Sequence, residues 1–484
     1  MIRARVWGGF AALLVLSVPG LSNADELPDV LADAYRYNRA IDAERAAVRG
    51  KDELVPQASA NLWHPHVTLS GGASGTEIDD VLKERLSGIG AQSQQQNRII
   101  DDGLAQLDLA ITMFDSGRTS SQLDYAEALI ELEREILLNT EQQVFLSASQ
   151  AYGQIVYAKL LQALATDQIT DLGGIRDEAH KALEAHLVTI TDTAQVDAQL
   201  ASAHADFAQA SGNLEAAISQ LDAVIGRPPG EIGGFPELSG LPPSLDEAIE
   251  IALQENPQLL SAKAQLTANQ AAVSQAESQN LPILSLVASG AKEFTGTRYT
   301  SAVPAELVPS SSFFSPLPNL AAVHPTTGEV GVKVTWPLYQ GGGEFGAMRQ
   351  QREGVEQASN TLDDTSRTVR ATVRGYWANL AAARARVAAT ADQIKAARQS
   401  LEGTERQFHE GTSTLVDVIQ LRLRLNTAIQ SADQARYDVF IDTTQLLAAM
   451  GRFNARSLAL AVTLYDPRDH YDRVHDKLFD FSDE

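Results

Sequence analysis

The sequence predicts a mainly α-helical chain that carries four strands and is built twice over. Three observations predict it. First, Met348, Val355, Leu362, Val369 and Tyr376 recur at every seventh position, and Leu380, Val387, Ile394, Leu401 and Phe408 continue the spacing after a shift of four. A seven-residue apolar repeat is a coiled-coil seam, and the shift of four is a stutter that locally unwinds it. Second, Val330 to Trp336 and Leu107 to Met113 alternate apolar with polar or small residues, the period of a strand with two unlike faces. Third, an offset of 225 carries Leu123, Ile130, Leu137 and Val144 onto Met348, Val355, Leu362 and Val369, and Gly226-Arg227 onto Gly451-Arg452. Tyr152 falls on Tyr376 after a one-residue gap. Matches this regular mark a tandem duplication.

The chain opens with a secretory pattern. Arg3 and Arg5 precede the apolar run Val6–Val18, and Ser22-Asn23-Ala24 puts small residues where a signal peptidase reads, so residues 1–24 are expected to be a signal peptide. No later run has the roughly 18 apolar residues of a membrane helix. Cysteine is absent, so disulfides, thiol nucleophiles and a lipidated N-terminal cysteine are excluded. The net charge of -24 argues against a nucleic-acid partner.

The first repeat is expected over 25–226. Residues 27–60 read as one helix, kinked or ended at Pro56. Strands follow at about 63–74 and 105–114, with a polar loop over 75–104 between them. Phe114-Asp115-Ser116-Gly117-Arg118 is a turn into a helix over about 117–185, and a return helix covers about 192–225. A Gly/Pro-rich linker occupies 227–243. The second repeat, 244–453, restarts with a helix over 244–279, in which Asn256 lies where Asn38 lies in the first half. Strands are expected at about 281–293 and 329–339, flanking a Pro/Ser-rich loop over 295–328. Long helices follow at about 344–409 and 414–450. Each 65-residue run would be about 100 Å long as a helix. Residues 454–484 form an acidic tail, expected to be solvated with its His470 and His475.

Ten alternating residues suit a tilted strand of a transmembrane barrel, and Trp63, Phe114, Trp336 and Tyr339 sit near strand ends as interfacial aromatics do. Four strands cannot close a barrel, so a membrane reading requires several chains to share one.

Here the residues carry a resemblance. Trp336-Pro337-Leu338-Tyr339-Gln340-Gly341-Gly342 resembles the strand-to-helix signature of the TolC-type outer-membrane efflux and secretion channels, with Phe114–Arg118 its first-half counterpart. Glu410-Gly411-Thr412-Ser413-Thr414-Leu415-Val416-Asp417-Val418 is similar to the helix–turn signature near that family's periplasmic tip. The first half departs there, with Ala185-His186-Leu187 where a glycine is usual. The resemblance implies a homotrimer in the outer membrane of a Gram-negative bacterium. Its twelve-stranded β-barrel would continue into a long α-helical barrel in the periplasm. The partners it implies are a periplasmic adaptor (membrane fusion) protein, an inner-membrane transporter of ABC, RND or MFS type, and outer-membrane lipid. It also implies that Asp192 and Asp417 face a periplasmic constriction, with Gln420 where the family has a second acid. Their other reading is helix capping. The turn residues are Gly411, Thr412 and Ser413, and the corners are Gly117, Gly341, Gly342 and Gly343.

Other motifs carry less. Gly341-Gly342-Gly343-Glu344-Phe345-Gly346 fits G-x-G-x-x-G, and Asp363 and Asp364 follow at about the ribose-binding distance. The helix does not return to a parallel strand, so a tight corner explains the glycines better. His64 and His66 share a strand face without a nearby carboxylate and read as solvated. No catalytic arrangement, metal site or cofactor motif stands out. A passive export duct is therefore expected, with a periplasmic coiled-coil adaptor or scaffold as the alternative.

Overall fold

Both halves of the duplication run helices, two strands and two long helices in the same order, with one additional short helix before the strands of the first half. The computed structural model describes residues 25–84, 92–186, 188–299 and 325–477. The expected signal peptide, most of the Pro/Ser-rich loop with His324, and the last seven residues of the tail lie outside the described residues. The first half runs α1 (Leu27–Tyr37), α2 (Arg39–Asp52), α3 (Leu54–Ser59), β1 (Pro65–Glu84), β2 (Gln92–Phe114), α4 (Arg118–Glu184) and α5 (Ile190–Ile225). The second runs α6 (Leu245–Glu255), α7 (Pro257–Ser278), β3 (Ile283–Tyr299), β4 (Thr326–Thr335), α8 (Gly343–His409) and α9 (Leu415–Ala449), followed by α10 (Arg468–Val474). The chain is mainly helical.

Two compact units share these elements. The first, among the described residues, comprises 25–48, 132–186, 188–263 and 360–467. Its core gathers Phe145, Tyr152, Ile155, Leu221, Leu446 and Phe453. Phe145 meets Phe453 edge to face at 6.2 Å, and Tyr152 meets Phe440 at 6.1 Å. Gly153 makes room for that contact, because a Cβ there would lie 2.9 Å from the Phe440 ring.

Asn38 and Asn256 correct the reading of residues 27–60 and 244–279 as unbroken helices. Each ends one helix in extended backbone. Asn38 Oδ1 then accepts from Ala40 N at 2.9 Å, and Asn256 Oδ1 from Leu259 N at 3.1 Å, capping the next helix. Their side-chain amides donate to the carbonyls of Val224 and Ala449, each at 2.8 Å, tying the break to the last turn of α5 or α9. Pro56 does not make the break. It sits in the first turn of α3, where a missing N–H is tolerated.

A matched glycine and arginine close each half. Gly226 and Gly451 hold φ of +75° and +81°. Arg227 pairs with Asp33, and Arg452 grips Glu255 through two hydrogen bonds of 2.8 and 2.9 Å.

The second unit, among the described residues, comprises 49–84, 92–131, 264–299, 325–359 and 468–477 and holds the antiparallel sheet β1-β2-β3-β4. Its register separates two faces. Val67, Leu109, Ala288 and Val330 form one row, and Pro65, Ile111, Leu286 and Val332 another. Next to the first row in register, Thr68, Asp108, Ser289 and Glu329 belong to the opposite face. Val67, Leu69, Val330, Val332 and Val334 are all more than 60% exposed.

Of the loop expected over 75–104, residues 75–84 and 92–104 are instead paired strand, with β1 and β2 in register out to Glu84 and Gln92. Apolar alternation is visible only where the two faces differ. Beyond Gly75 and Asp101 the sequence turns polar, as in Gln94-Gln95-Gln96-Asn97, so the pattern fades while backbone pairing persists. β4 ends at Thr335, before Trp336–Tyr339, because Pro337 offers no N–H to a ladder.

The tail also differs from expectation. α10 docks through Tyr471 against Val55, Ala126 and Ile130. His470 Nδ1 lies 3.1 Å from fully buried Asp52, and Nε2 lies 3.7 Å from Glu53. His470 is therefore an anchor. His64 and His66 are tethered too, at 3.1 Å from the carbonyls of Ser59 and Ala60 at the end of α3.

Asp115 caps α4. Its Oδ2 accepts from Thr119 N at 2.6 Å and its Oδ1 from Gly117 N at 3.1 Å. Burial pushes its pKa up, but the bonds from Thr119 and Gly117 outweigh it and hold the carboxyl below 3.8. Its contribution is therefore complete above pH 3.8 and is lost as pH falls through the lowered value. Asp115→Ala should cost about 1 kcal/mol at neutral pH, read as a lower urea midpoint, and the deficit should shrink in acid.

Candidate functional site

The two helix–helix turns are built alike. Two residues after the end of α4, His186 holds φ +56°, and two residues after the end of α8, Gly411 holds φ +75°. The left-handed residue is thus kept in the first half without glycine, at the local cost a side chain pays there.

Each return helix then starts with a reciprocal capping box. Thr189 caps α5: Asp192 N donates to Thr189 Oγ1 at 3.3 Å, while Thr189 N donates to Asp192 Oδ2 at 2.8 Å. Thr414 and Asp417 repeat the arrangement on α9 at 3.3 and 3.0 Å. Asp417 Oδ2 also accepts from Thr414 Oγ1 at 2.6 Å and Ser413 Oγ at 3.1 Å. The aspartates therefore stand third in their helices, and the threonines are the caps. Hydrogen bonds from the Thr189 backbone, then its side chain, lower the Asp192 pKa. Those from the Thr414 side chain, then its backbone and Ser413, lower that of Asp417. Both are anionic at neutral pH. Gln420, Gly411 and Thr412 are exposed, and Ser413 is half-buried.

Behind the turns, Ala179, Val196, Leu415 and Ile419 form a small apolar cluster that joins both hairpins. Arg422 on α9 reinforces it, reaching Asp171 on α4 at 2.5 Å and Glu405 on α8 at 2.9 Å. Arg176 and Asp197 pair across α4 and α5 at 2.9 Å. Sequence reasoning missed Arg422, whose partners are distant in the chain. It also missed the two threonine caps, although Thr-x-x-Asp is a legible capping signal.

In the sheet unit, the strand-to-helix corners use positive φ: +84° at Gly117, +77° at Gly341 and +85° at Gly342. Gly343 is the first residue of α8. Glu344 Oε1 accepts from Gln340 N at 2.7 Å, fixing the corner. Trp63, Phe114, Trp336 and Tyr339 are exposed around these corners. Among the described residues, no group of three His, Cys, Asp or Glu is placed to hold a metal ion.

The chain thus combines one sheet with an exposed apolar face with two glycine corners into 67-residue helices and two acidic helix turns. The sequence profile of the outer membrane efflux protein family matches residues 30–227 and 248–452. The chain belongs to that family, and it is an outer-membrane protein of Gram-negative bacteria. The outer membrane efflux protein BepC of Brucella suis is 28% identical over 94% of this chain and 92% of its own length. The outer membrane protein TolC of Escherichia coli is 25% identical over 71% of each. The crystal structure of VceC from Vibrio cholerae shares the fold at a TM-score of 0.64 and 16% identity, covering 88% of this chain and 96% of that one.

Proposed function

We propose that three copies of this chain assemble into one outer-membrane duct, a twelve-stranded barrel continuous with a helical tunnel. It serves as the passive exit of a tripartite efflux pump or a type I secretion system. A periplasmic adaptor and an inner-membrane transporter of ABC, RND or MFS type would supply the energy and choose the cargo. The observation that carries this reading is the exposed apolar face of the sheet. Val67, Leu69, Val330 and Val332 have no protein neighbour to bury them, and lipid is the solvent that suits them. The opposite face, with Asp108 and Glu329, suits a water-filled bore. Four strands per chain require other chains to close the barrel. An adaptor or scaffold has no use for a lipid-facing sheet.

The two aspartates at the turns lie at the periplasmic constriction in this reading, with Gln420 one turn further along α9. Six carboxylates converging from three chains favour cations and resist anions.

The test compares the two faces. Val332→Lys puts a charge on the lipid side, where it costs about 2–4 kcal/mol at mid-bilayer, three times per trimer. Ser289→Lys puts the same charge on the bore side. Val332→Lys should abolish the heat-modifiable trimer in outer-membrane fractions, and Ser289→Lys should leave its yield near wild type. Equal yields from the two variants would remove the lipid-facing assignment.

A further inference from the structure

Helices of the first unit border a cavity of about 220 Å³, lined from α4, α8, α9 and the α6–α7 junction. Six carboxamide side chains converge on it: Asn139, Gln142, Gln143, Asn256, Gln258 and Gln445. Thr372 and Tyr376 add hydroxyl groups. No lining residue is charged, in a chain with 38 basic and 62 acidic residues.

Two of the six amides hold the fold. Asn256 Nδ2 donates to the Ala449 carbonyl at 2.8 Å while its Oδ1 accepts from Leu259 N, and Gln142 Nε2 donates to the Ala448 carbonyl. The other four are different. The side chains of Asn139, Gln143, Gln258 and Gln445, with those of Thr372 and Tyr376, have no hydrogen-bond partner among the described residues. The duplication does not generate this set either. The offset of 225 carries Asn139, Gln142 and Gln143 onto Asp364, Arg367 and Thr368, so the amides are particular to the place where α4 meets the second half.

The lining restricts what it can hold. Amide and hydroxyl side chains both donate and accept hydrogen bonds. Without a counter-charge they suit ions poorly, because a hard cation is held by carboxylates and an anion by guanidinium or ammonium groups. A wholly apolar guest would leave the amides unpaired. Leu146, Val369 and Ala448 supply a smaller apolar wall. The guest is therefore neutral, carries donors and acceptors around its rim and offers a C–H face. It is also small, since the cavity lies below the roughly 300–1,000 Å³ of drug-sized sites. A peptide carries amides too, but an extended chain needs a longer groove than this volume gives.

We propose that this cavity binds one ring of a neutral saccharide, with Asn139, Gln143, Gln258 and Gln445 as its hydrogen-bonding groups. The site is formed within a single chain, so the proposal goes beyond the export duct and is independent of it.

The test uses the full chain in a detergent without a sugar headgroup, titrated by saturation-transfer NMR. The probes are N-acetylglucosamine, its β-1,4-linked dimer and hexamer, glucuronate and triglycine. N-acetylglucosamine should bind saturably, and glucuronate and triglycine should not. Gln143→Leu and Gln445→Leu should each weaken binding about tenfold, on the scale of one or two lost hydrogen bonds. Gln220→Leu, at the exposed first-half counterpart of Gln445, should leave it unchanged. Neither pocket glutamine has a protein partner to lose, so both variants should unfold at the wild-type temperature by circular dichroism. A hexamer that binds more tightly than the single sugar makes a glycan strand the source of the ring, and equal affinity makes it a free sugar. Absence of saturable binding to the wild type, or binding that survives both substitutions, overturns the proposal. Glucuronate or triglycine binding as well as N-acetylglucosamine overturns its neutral saccharide class.

Discussion

Gly451→Ala is expected to yield almost no folded protein, whereas the matching Gly226→Ala accumulates near normal levels. Both glycines hold left-handed backbone, so each alanine pays about 1–2 kcal/mol for that alone. Their surroundings differ. A Cβ at Gly226 meets nothing closer than 3.5 Å, the carbonyl of Tyr37. A Cβ at Gly451 lies 2.0 Å from the Glu255 carbonyl oxygen and 2.9 Å from Asn256 N, both backbone atoms that no rotamer change can remove. To relieve that overlap, α9 must part from the α6–α7 junction. The parting breaks the Asn256 bond to Ala449 and the bidentate Arg452–Glu255 pair, and it disturbs the core around Leu446, Leu447 and Phe453. Losses of that kind fall in the tail of several kcal/mol where single substitutions abolish folding. Folded trimer recovered from membranes at 37 °C and at 20 °C is the measurement. Comparable recovery of the two variants would mean that the close approach at Gly451 relaxes easily.

That asymmetry shows where the sequence speaks and where it stops. The duplication was legible because an offset of 225 preserves seams and the Gly-Arg pairs alike. The long helices were legible because a heptad repeated over so many turns has one physical meaning. The breaks at Asn38 and Asn256 were not, since an asparagine that ends one helix and caps the next leaves the composition of both helical. The outer strand segments were invisible for the reason given by the two faces: alternation reports a difference of solvent, not pairing. At the turns, Asp192 and Asp417 stood out through the duplication, but Arg422 and its partners Asp171 and Glu405 come from three helices that only the fold brings together. The docking of α10 is of the same kind, because Asp52 and His470 are 418 residues apart.

Asp417→Asn and Asp417→Ala separate the two roles that Asp417 combines. Its Oδ2 accepts from Thr414 N, Thr414 Oγ1 and Ser413 Oγ, so the carboxylate orders the turn. Its charge is a separate property, and asparagine keeps an acceptor oxygen while removing that charge. If six such carboxylates ring a constriction, Asp417→Asn should raise single-channel conductance in planar bilayers and weaken block by multivalent cations, with the turn intact. Asp417→Ala should do the same and in addition loosen the turn, seen as faster proteolysis near Gly411. Asp192→Asn should act in the same direction, and Gln420→Asp should strengthen block. The pH dependence has a definite sign. Both carboxyls titrate below the ordinary 3.8, so their help to the turns is complete above that value and fades as pH falls through the lowered one. Cation block in the wild type should therefore persist down to pH 4 and disappear below the lowered values, and in the doubly amidated Asp192→Asn, Asp417→Asn variant it should be weak at every pH. Unchanged conductance and block in a correctly assembled Asp417→Asn trimer would leave Asp417 as a capping residue and place the constriction elsewhere.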